Sequence, residues 1–270
     1  MLRILLPVYN EAAGIGTLLA RIDQTLRGTD YSVTIVEDGS TDDTRAQVET
    51  LTRTMPIDIV RHRINRGLWE TIRDGFEHVA QMAQPGDIII RMDADDTHDP
   101  KYIPQMIAKI NDGYDVVIAS RFQPGGGAEG LDAYRTFISR CANVLMKCIF
   151  PIRGVWEYSC GYRAYRAELV QNALRIFGNS FIDLKGVGFT CTVEKLLKFR
   201  MMGARFAEVP FVLRYDQKQS DSKMLSSITT LGYAILILKY IYPWGPQAKR
   251  WLREIAELKQ RPRAALNEIV

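Results

Sequence analysis

The amino-acid sequence predicts an α/β protein with a mostly parallel central sheet flanked by helices. Through the first 120 residues, short apolar runs alternate with amphipathic stretches, which is the pattern of βαβ units. Apolar residues make up 47% of the 270 residues and charged residues 24%, the composition of an ordinary globular protein. No internal repeat or linker interrupts the chain. We expect one continuous domain over residues 1–223, followed by apolar and basic helices over residues 224–270.

The first half of the chain contains five short apolar runs that predict strands. The helix after the first strand is indicated by Ile15, Leu18, Leu19 and Ile22, which recur at the spacing of one helix face. The second strand ends in a polar turn beginning at Asp38, whose side chains can cap the next helix. The predicted strands are residues 4–8, 32–37, 57–61, 87–92 and 115–120, and the predicted helices are 12–26, 44–54, 68–82 and 100–111.

The regular alternation ends at the segment 123–130. Its glycine content is too high for a helix or a central strand, and we expect a mobile loop. Beyond this loop, the apolar spacing predicts helices over residues 134–149, 166–176 and 192–202, and a strand over residues 205–214.

The C-terminal part combines an apolar stretch, residues 224–238, with a basic stretch that contains several aromatic rings. A helix of that apolar length spans roughly 22 Å, less than the roughly 30 Å hydrocarbon core of a bilayer, which disfavours a membrane-spanning helix. Apolar and basic residues in this order suit a helix lying on an anionic membrane surface. A buried helix followed by a solvated basic helix explains the pattern equally well, and both interpretations stay open.

Charge and cysteine usage limit the partners and the compartment. The net charge of +4 is too small for a nucleic acid to be an expected partner. The N-terminus reaches polar residues after a short apolar run, which does not fit a secretory signal, and we expect a cytoplasmic protein. The cysteines lack metal-binding spacing and are expected to be reduced core thiols; they are Cys141, Cys148, Cys160 and Cys191.

The candidate site consists of polar residues that directly follow the predicted strands. Ligands of open α/β sheets bind beyond the carboxyl ends of the strands, so these segments should converge. Tyr9 can offer a flat face to a nucleotide base, and Glu11 and Asp38 can accept hydrogen bonds. No glycine-rich dinucleotide or P-loop pattern follows the first strand. The converging segments are Pro7-Val-Tyr-Asn-Glu11, Glu37-Asp38-Gly-Ser-Thr-Asp42, Asn65-Arg-Gly-Leu68, Asp93-Ala-Asp95 and Ser120-Arg121.

The sharpest of these segments is Asp93-Ala94-Asp95-Asp96, which follows an apolar strand. Two carboxylates one residue apart at a strand exit can both turn toward one divalent cation. An oxygen-only ligand set favours Mg²⁺ or Mn²⁺ over zinc. Such an ion keeps open positions that the diphosphate of a nucleotide can fill.

These segments together resemble those of the inverting GT-A glycosyltransferases of family 2. The resemblance is strongest to their polyprenol-phosphate (dolichol-phosphate) mannosyl- and glucosyltransferase branch, and it covers residues 2–224. It also rests on Ser159-Cys-Gly-Tyr-Arg-Ala-Tyr165, Glu208-Val-Pro210 and Ser222-Lys-Met224. The resemblance implies a GT-A (Rossmann-like) fold and a nucleotide-diphosphate sugar, GDP-mannose or UDP-glucose, with a metal at Asp93 and Asp95. The donor residues that it implies are Pro7, Tyr9, Glu11, Glu37, Asp38, Arg66, Asp93 and Ala94.

The resemblance also implies a polyprenyl phosphate acceptor and a location at the cytoplasmic face of a membrane. A lipid phosphate is already an anion at neutral pH, so it needs positive charge for positioning rather than a strong base. The implied catalytic residues are Asp95, Arg121, Arg135 and Arg214, and the implied acceptor-phosphate residues are Arg121, Arg135, Lys218 and Lys223.

Some features leave other functions open. A hydroxyl acceptor, such as a saccharide or a metabolite, would need a base, for which Glu194 and Asp96 are the candidates. A catalytically silent nucleotide-sugar-binding module is a further alternative. The spacing Gln247-Ala-Lys-Arg-Trp251 matches a pattern of processive enzymes and is interpreted as coincidence.

Overall fold

A twisted seven-stranded sheet runs through the protein, whose structure is a computed structural model. The structure describes residues 1–186, 190–218, 226–241 and 246–260. The strands are β1 Leu2–Val8, β2 Tyr31–Glu37, β3 Ile57–Arg61, β4 Ile88–Arg91, β5 Val116–Ser120, β6 Gly127–Glu129, β7 Arg163–Arg166, β8 Phe206–Pro210 and β9 Val212–Arg214. The sheet order is β3-β2-β1-β4-β7-β5-β8, and only β7 runs antiparallel to its neighbours, so the predicted mostly parallel sheet is confirmed.

Helices cover both faces of this sheet, because each central strand is apolar on both sides. On one face, Leu18 of α1 and Met106 of α4 pack against strand residues such as Ile4. On the other face, Phe76 of α3 packs against Leu5. The helices are α1 Ile15–Thr25, α2 Thr44–Leu51, α3 Leu68–Met82, α4 Ile103–Asn111, α5 Ala133–Ile149, α6 Ala167–Phe177, α7 Thr190–Met201, α8 Ser226–Tyr240 and α9 Pro246–Gln260.

The first five strands and the helices between them lie within a few residues of their predicted positions. Three details of the second half were predicted wrongly. Strand β7 was missed, and the predicted strand 205–214 divides into β8 and β9, which belong to different sheets. Part of the glycine-rich segment is not a loop, because β6 pairs with β9 in a two-stranded sheet.

The order of the strands places a crevice between β1 and β4. The chain leaves β1 toward β2 on one side and returns to β4 on the other, so the connections diverge at the carboxyl ends of these two strands. This switch point is where open α/β sheets bind ligands. The segments that follow are Tyr9–Glu11 after β1 and Asp93–Asp95 after β4.

The C-terminal helices pack onto the same side as α7. Helix α8 contacts both α7 and α9. Leu236, Tyr240 and Trp251 are buried, whereas Leu231 and Leu238 are exposed. None of the helices in the described parts of the chain is both long and apolar enough to cross a bilayer.

The expectation of four core thiols is wrong for two of them. Cys160 and Cys191 are buried, but Cys141 and Cys148 are exposed. Both lie on the outer face of α5, which none of the described elements covers. Periodicity identified this helix but did not reveal which of its faces packs inward.

Candidate active site

The exits of β1 and β2 are joined by hydrogen bonds between side chains and backbone. Asn10 adopts a left-handed backbone conformation with φ of 52°. Its Oδ1 accepts the N–H of Thr41 at 2.8 Å. The N–H of Glu11 donates to Oγ1 of Thr44 at 2.9 Å, at the start of α2. These bonds place Tyr9 and Glu11, both predicted donor residues, at the crevice, where Tyr9 is half-buried and Glu11 is buried.

Glu37 and Asp38 both lie at the end of β2, but their carboxylates have protein partners. Glu37 is buried and ion-paired with Arg45 at 2.8 Å. Burial acts to raise the pKa of Glu37, but hydrogen bonds from Ser40 and Arg45 outweigh it, and the pKa is lowered. Asp38 accepts the backbone N–H groups of Arg66 at 2.9 Å and Gly67 at 3.0 Å. Asp38 therefore holds the loop that leads into α3.

His62, which we did not predict as a site residue, is a further partner of the Asp38 carboxylate. Its Nδ1 lies 2.7 Å from Oδ1 of Asp38, and its Nε2 lies 3.2 Å from Asp74. The Arg66 side chain is more exposed and pairs with Asp74 at 2.8 Å. Among the other predicted donor residues, Pro7 and Ala94 are buried at the ends of β1 and β4.

Asp93 follows β4 directly and has two partners that keep its position fixed. The guanidinium of buried Arg91 donates to Oδ1 of Asp93 at 2.5 Å. The backbone N–H of Asp93 donates to Nδ1 of His98 at 2.9 Å. Burial lowers the pKa of His98, and a ring nitrogen that accepts a hydrogen bond fits a neutral imidazole.

Asp95 contacts a cation from a distant part of the chain. Its Oδ2 contacts the Lys218 ammonium, and its Oδ1 accepts the Thr97 hydroxyl at 2.7 Å. Burial acts to raise the pKa of Asp95, but the charges of Lys218 and His98 and the hydrogen bonds from Lys218 and Thr97 together outweigh burial, and the pKa is lowered. Burial acts to lower the pKa of Lys218, and Asp95, Glu11 and Asp93 together raise it. Three acids from the β1 and β4 exits therefore act on one ammonium group.

The residues present fit a hard divalent cation. The Lys218 ammonium already lies against Asp95, which shows that this carboxylate attracts positive charge. The donors are carboxylate oxygens without cysteine, as Mg²⁺ and Mn²⁺ prefer. No group of three or more His, Cys, Asp or Glu side chains suited to a metal occurs within the described ranges. Asp93 and Asp95 would therefore supply part of the ligand shell, and phosphate oxygens and water would supply the rest.

Arg121 follows β5 and is held by a buried acid that sequence reasoning missed. Its guanidinium donates to both carboxylate oxygens of Glu157, at 2.8 and 3.0 Å, and to Oγ of Ser159 at 2.8 Å. Burial acts to lower the pKa of Arg121, but Glu157 raises it. The side chain of Glu157 is fully buried. No local pattern around Glu157 pointed to this pair, which joins segments 36 residues apart.

The other predicted cations that the structure describes each have a protein partner. Arg135, in the first turn of α5, donates to the hydroxyl of Tyr215 at 3.2 Å. Arg214 pairs with Asp216 at 2.8 Å and with Glu129 at 3.2 Å. Lys218 lies at Asp95, as described above. Lys223 lies outside the described residues.

The two candidate bases are both engaged by protein groups. Asp96 has a φ of 60° and pairs with Arg21 at 2.6 Å. Glu194 is fully buried in α7, where Lys198 lies 2.8 Å away and the Tyr240 hydroxyl 2.7 Å away. Trp251 of the Gln247–Trp251 pattern packs against Phe177 in the core.

Comparisons with known proteins find relatives over most of the chain. The chain is 32% identical over 253 residues to a dolichol-phosphate mannosyltransferase of Pyrococcus furiosus, covering 93% of this chain and 64% of the relative's length. It is 29% identical to an undecaprenyl-phosphate mannosyltransferase of Micrococcus luteus, covering 92% and 94% of the two chains. It is 26% identical to a polyprenol monophosphomannose synthase of Mycolicibacterium smegmatis, covering 83% and 81%.

Solved structures show the same architecture. Glucosyl-3-phosphoglycerate synthase of Mycobacterium tuberculosis in complex with phosphoglyceric acid superposes with a TM-score of 0.61 at 18% identity, covering 88% of this chain and 78% of that chain. The same enzyme in complex with Mn²⁺, uridine diphosphate and phosphoglyceric acid superposes with a TM-score of 0.60 at 18% identity, covering 87% and 76%. The predicted GT-A fold is confirmed. The model of Glycosyl transferase family 2 matches residues 3–174, more than half of the sequence, and the chain belongs to this family.

Proposed function

We propose that this chain transfers a hexose from a nucleotide-diphosphate sugar to a polyprenyl phosphate, with inversion at the anomeric carbon and with Mg²⁺ or Mn²⁺ as cofactor. The observation that carries the proposal is that Asp93 and Asp95 both follow β4 at the switch point. The Arg91 guanidinium contacts Asp93, and the Lys218 ammonium contacts Asp95. The names of the relatives support the acceptor, since all three are polyprenyl- or dolichyl-type phosphate mannosyltransferases or synthases. They also favour mannose as the sugar, and thus GDP-mannose over UDP-glucose as the donor.

In the proposed reaction, an oxygen of the acceptor phosphate forms a bond to the anomeric carbon of the donor sugar. The bond from that carbon to the diphosphate breaks, and its electron pair leaves with the nucleotide diphosphate. A divalent cation at Asp93 and Asp95, when bound, neutralises charge that develops on the leaving diphosphate. Tyr9 and Glu11 border the donor from the β1 side, and Asp38 orders the loop beside it.

We assign the acceptor phosphate to the cations Arg121, Arg135, Arg214 and Lys218, and call their part of the crevice its acceptor side. Arg121 is charged at neutral pH, and Glu157 raises its pKa further although burial acts to lower it. The acceptor phosphate brings its own negative charge, so no protein base is required. The full burial of Glu194 and the Arg21 partner of Asp96 favour this acceptor over a hydroxyl acceptor.

We further place the protein at the cytoplasmic face of a membrane, where a polyprenyl phosphate is found. Exposed Leu231 and Leu238 on α8 support a contribution of the C-terminal helices to that association. The basic C-terminal stretch that follows the apolar residues supplies positive charge, which is attracted to anionic lipids.

The test is transfer of radiolabelled sugar from GDP-mannose or UDP-glucose to a short polyprenyl phosphate in detergent, with and without Mg²⁺ or Mn²⁺. We expect Asp95→Asn to lower turnover by a factor on the order of a hundred or more, because it removes a carboxylate at the diphosphate. Asp112→Asn is the matched control, since Asp112 is exposed and pairs only with Lys109 in the described structure. Transfer to soluble hydroxyl acceptors alone, or full activity of the Asp95 variant, would refute the proposal.

A further inference from the structure

Helix α5 turns apolar side chains toward solvent along its whole length. Tyr134 is 74% exposed, Phe137 63% and Val144 60%. Ile138 and Leu145 are also exposed, and Cys141 lies between them. We call these six residues the α5 face. Contiguous apolar surfaces of this kind mark interaction sites on soluble domains rather than ordinary surface.

The charges of α5 are all positive. Its 17 residues include Arg135, Arg140 and Lys147 and contain no aspartate or glutamate. Beyond the C-terminal end of the helix, Trp156 is 54% exposed, and the Lys147 ammonium lies 4.0 Å from the centre of its ring. Tyr134 occupies the other end. Aromatic rings at the ends and cations along the sides are typical of helices that lie in a membrane interface.

We propose that the α5 face docks on a bilayer that contains anionic lipids. The helix would lie in the plane of the interface, with the α5 face in the acyl boundary and Arg135, Arg140 and Lys147 at the headgroups. This surface belongs to α5, which follows the glycine-rich segment directly, and not to the C-terminal helices α8 and α9.

A second copy of the chain fits the α5 face less well than a bilayer does. Twofold pairing would bring the same face of both copies together. Because α5 contains three cations and no acid, such a dimer would place like charges opposite each other. Anionic headgroups supply the missing negative charge.

The inner side of α5 connects the docking surface to the acceptor side of the crevice. Asn143 is buried there, where its Oδ1 accepts the N–H of Tyr158 at 2.7 Å and its Nδ2 donates to Oγ of Ser159 at 3.1 Å. The same Ser159 hydroxyl contacts Arg121. The link to catalysis rests on the proposed function: a phosphate anchored in the bilayer beside α5 would reach the cations at that side.

The native cysteines provide a direct test with the full chain. Cys141 and Cys148 lie on or beside the α5 face, whereas Cys160 and Cys191 are buried. We expect vesicles of phosphatidylglycerol and phosphatidylcholine to slow modification of Cys141 and Cys148 by a membrane-impermeant maleimide by about tenfold, and pure phosphatidylcholine to slow it less. Equal rates with and without anionic vesicles would overturn the proposal. So would protection that needs no lipid and increases with protein concentration, which indicates a second copy.

A variant pair separates docking from folding and from catalysis. Phe137→Glu with Val144→Glu should reduce sedimentation with anionic vesicles by about tenfold or more. Met82→Glu, a similar change at an exposed residue of α3, should sediment like the wild type. Transfer to polyprenyl phosphate dispersed in detergent should persist in the α5 variant and fall when the acceptor is in vesicles. Unchanged sedimentation of the α5 variant would overturn docking, whereas a wild type that binds vesicles without any transfer would refute the proposed function alone.

Discussion

The ammonium group of Lys218 contacts Oδ2 of Asp95, although 123 residues of sequence separate them. Both side chains are largely buried at the crevice. A divalent cation bound through Oδ2 of Asp95 would share this oxygen with the Lys218 ammonium. A tethered cation and a free one cannot share this oxygen without strong repulsion.

We expect Lys218→Met to bind Mn²⁺ more tightly than the wild type, because it removes this internal competitor. The expected decrease in Kd is about tenfold, which corresponds to about 1.4 kcal/mol. Isothermal titration calorimetry or electron paramagnetic resonance of Mn²⁺ measures it without donor or acceptor. Lys101→Met is the control, since Lys101 pairs with Asp99 at the surface. An unchanged or higher Kd of the Lys218→Met variant for Mn²⁺ would show that Lys218 does not compete with the ion for Asp95.

The buried pair of Arg121 and Glu157 should make stability depend on pH. Glu157→Gln leaves the Arg121 charge without its acid, and we expect a loss of about 3–5 kcal/mol in the free energy of unfolding at pH 7. Burial acts to raise the pKa of Glu157, but Arg121 lowers it below the ordinary value of 4.5. The contribution of Glu157 is therefore complete above that ordinary value and is lost as the pH falls through the lowered native pKa.

Denaturant unfolding between pH 7 and pH 3 measures this difference. The difference in unfolding free energy between the wild type and Glu157→Gln should become smaller only below about pH 4.5. Glu49→Gln, at an exposed pair with Arg61, should change stability by less than about 0.5 kcal/mol at every pH. A gap that stays constant down to pH 3 would contradict the assigned role of the Glu157 charge.

The fold and the location of the site were predictable because they depend on local patterns. Alternating apolar and amphipathic segments determine β1–β5 and α1–α4, and strand ends carry the polar residues to one edge. Asp93 and Asp95 were therefore found at the switch point without knowledge of their neighbours. Helix α5 was found for the same reason.

Contacts between distant segments could not be read from these patterns. Strand β7 has only four residues and becomes a strand by pairing between β4 and β5, where it places Arg163 beside Arg91. The partners Lys218 of Asp95 and Glu157 of Arg121 also depend on tertiary packing. Periodicity likewise gave no reason to place Cys141 and Cys148 outside the core.

Gly39 should be required for the loop that borders the proposed donor site. It has a φ of +70°, and a Cβ would lie 2.5 Å from the carbonyl carbon of Ile64. Gly28 has a φ of +80° but no atom within 4 Å of that position. We expect Gly28→Ala to cost about 1 kcal/mol from backbone strain and Gly39→Ala to cost at least about 2 kcal/mol more from the clash.

The same pair tests the role of the loop in binding. Asp38 holds the Arg66 and Gly67 amides next to Ile64, so displacement of this loop by Gly39→Ala should raise KM for the donor. Gly28→Ala should leave KM unchanged. Steady-state kinetics and urea unfolding of both variants provide the comparison, and equal behaviour of the two would show that the close approach at Gly39 is unimportant.

Glu194 should stabilise the fold rather than act as a base. Its carboxylate accepts the backbone N–H groups of Asp183 and Leu184, each at 3.0 Å, in addition to its contacts with Lys198 and Tyr240. Glu194→Gln leaves the buried Lys198 ammonium with the more distant Asp183 carboxylate, at 3.5 Å, as its acidic partner, so we expect a loss of about 3 kcal/mol in unfolding free energy. The kcat per folded molecule should stay within about twofold of the wild type, whereas loss of a general base lowers kcat about a hundredfold or more.

Tyr240→Phe, which removes one hydrogen-bond donor to Glu194, should lower the unfolding free energy by about 1–2 kcal/mol and also leave kcat unchanged. Circular dichroism establishes the folded fraction at the assay temperature. A hundredfold fall in kcat of a fully folded Glu194→Gln enzyme would instead favour a hydroxyl acceptor, because a phosphate nucleophile has no proton for Glu194 to remove.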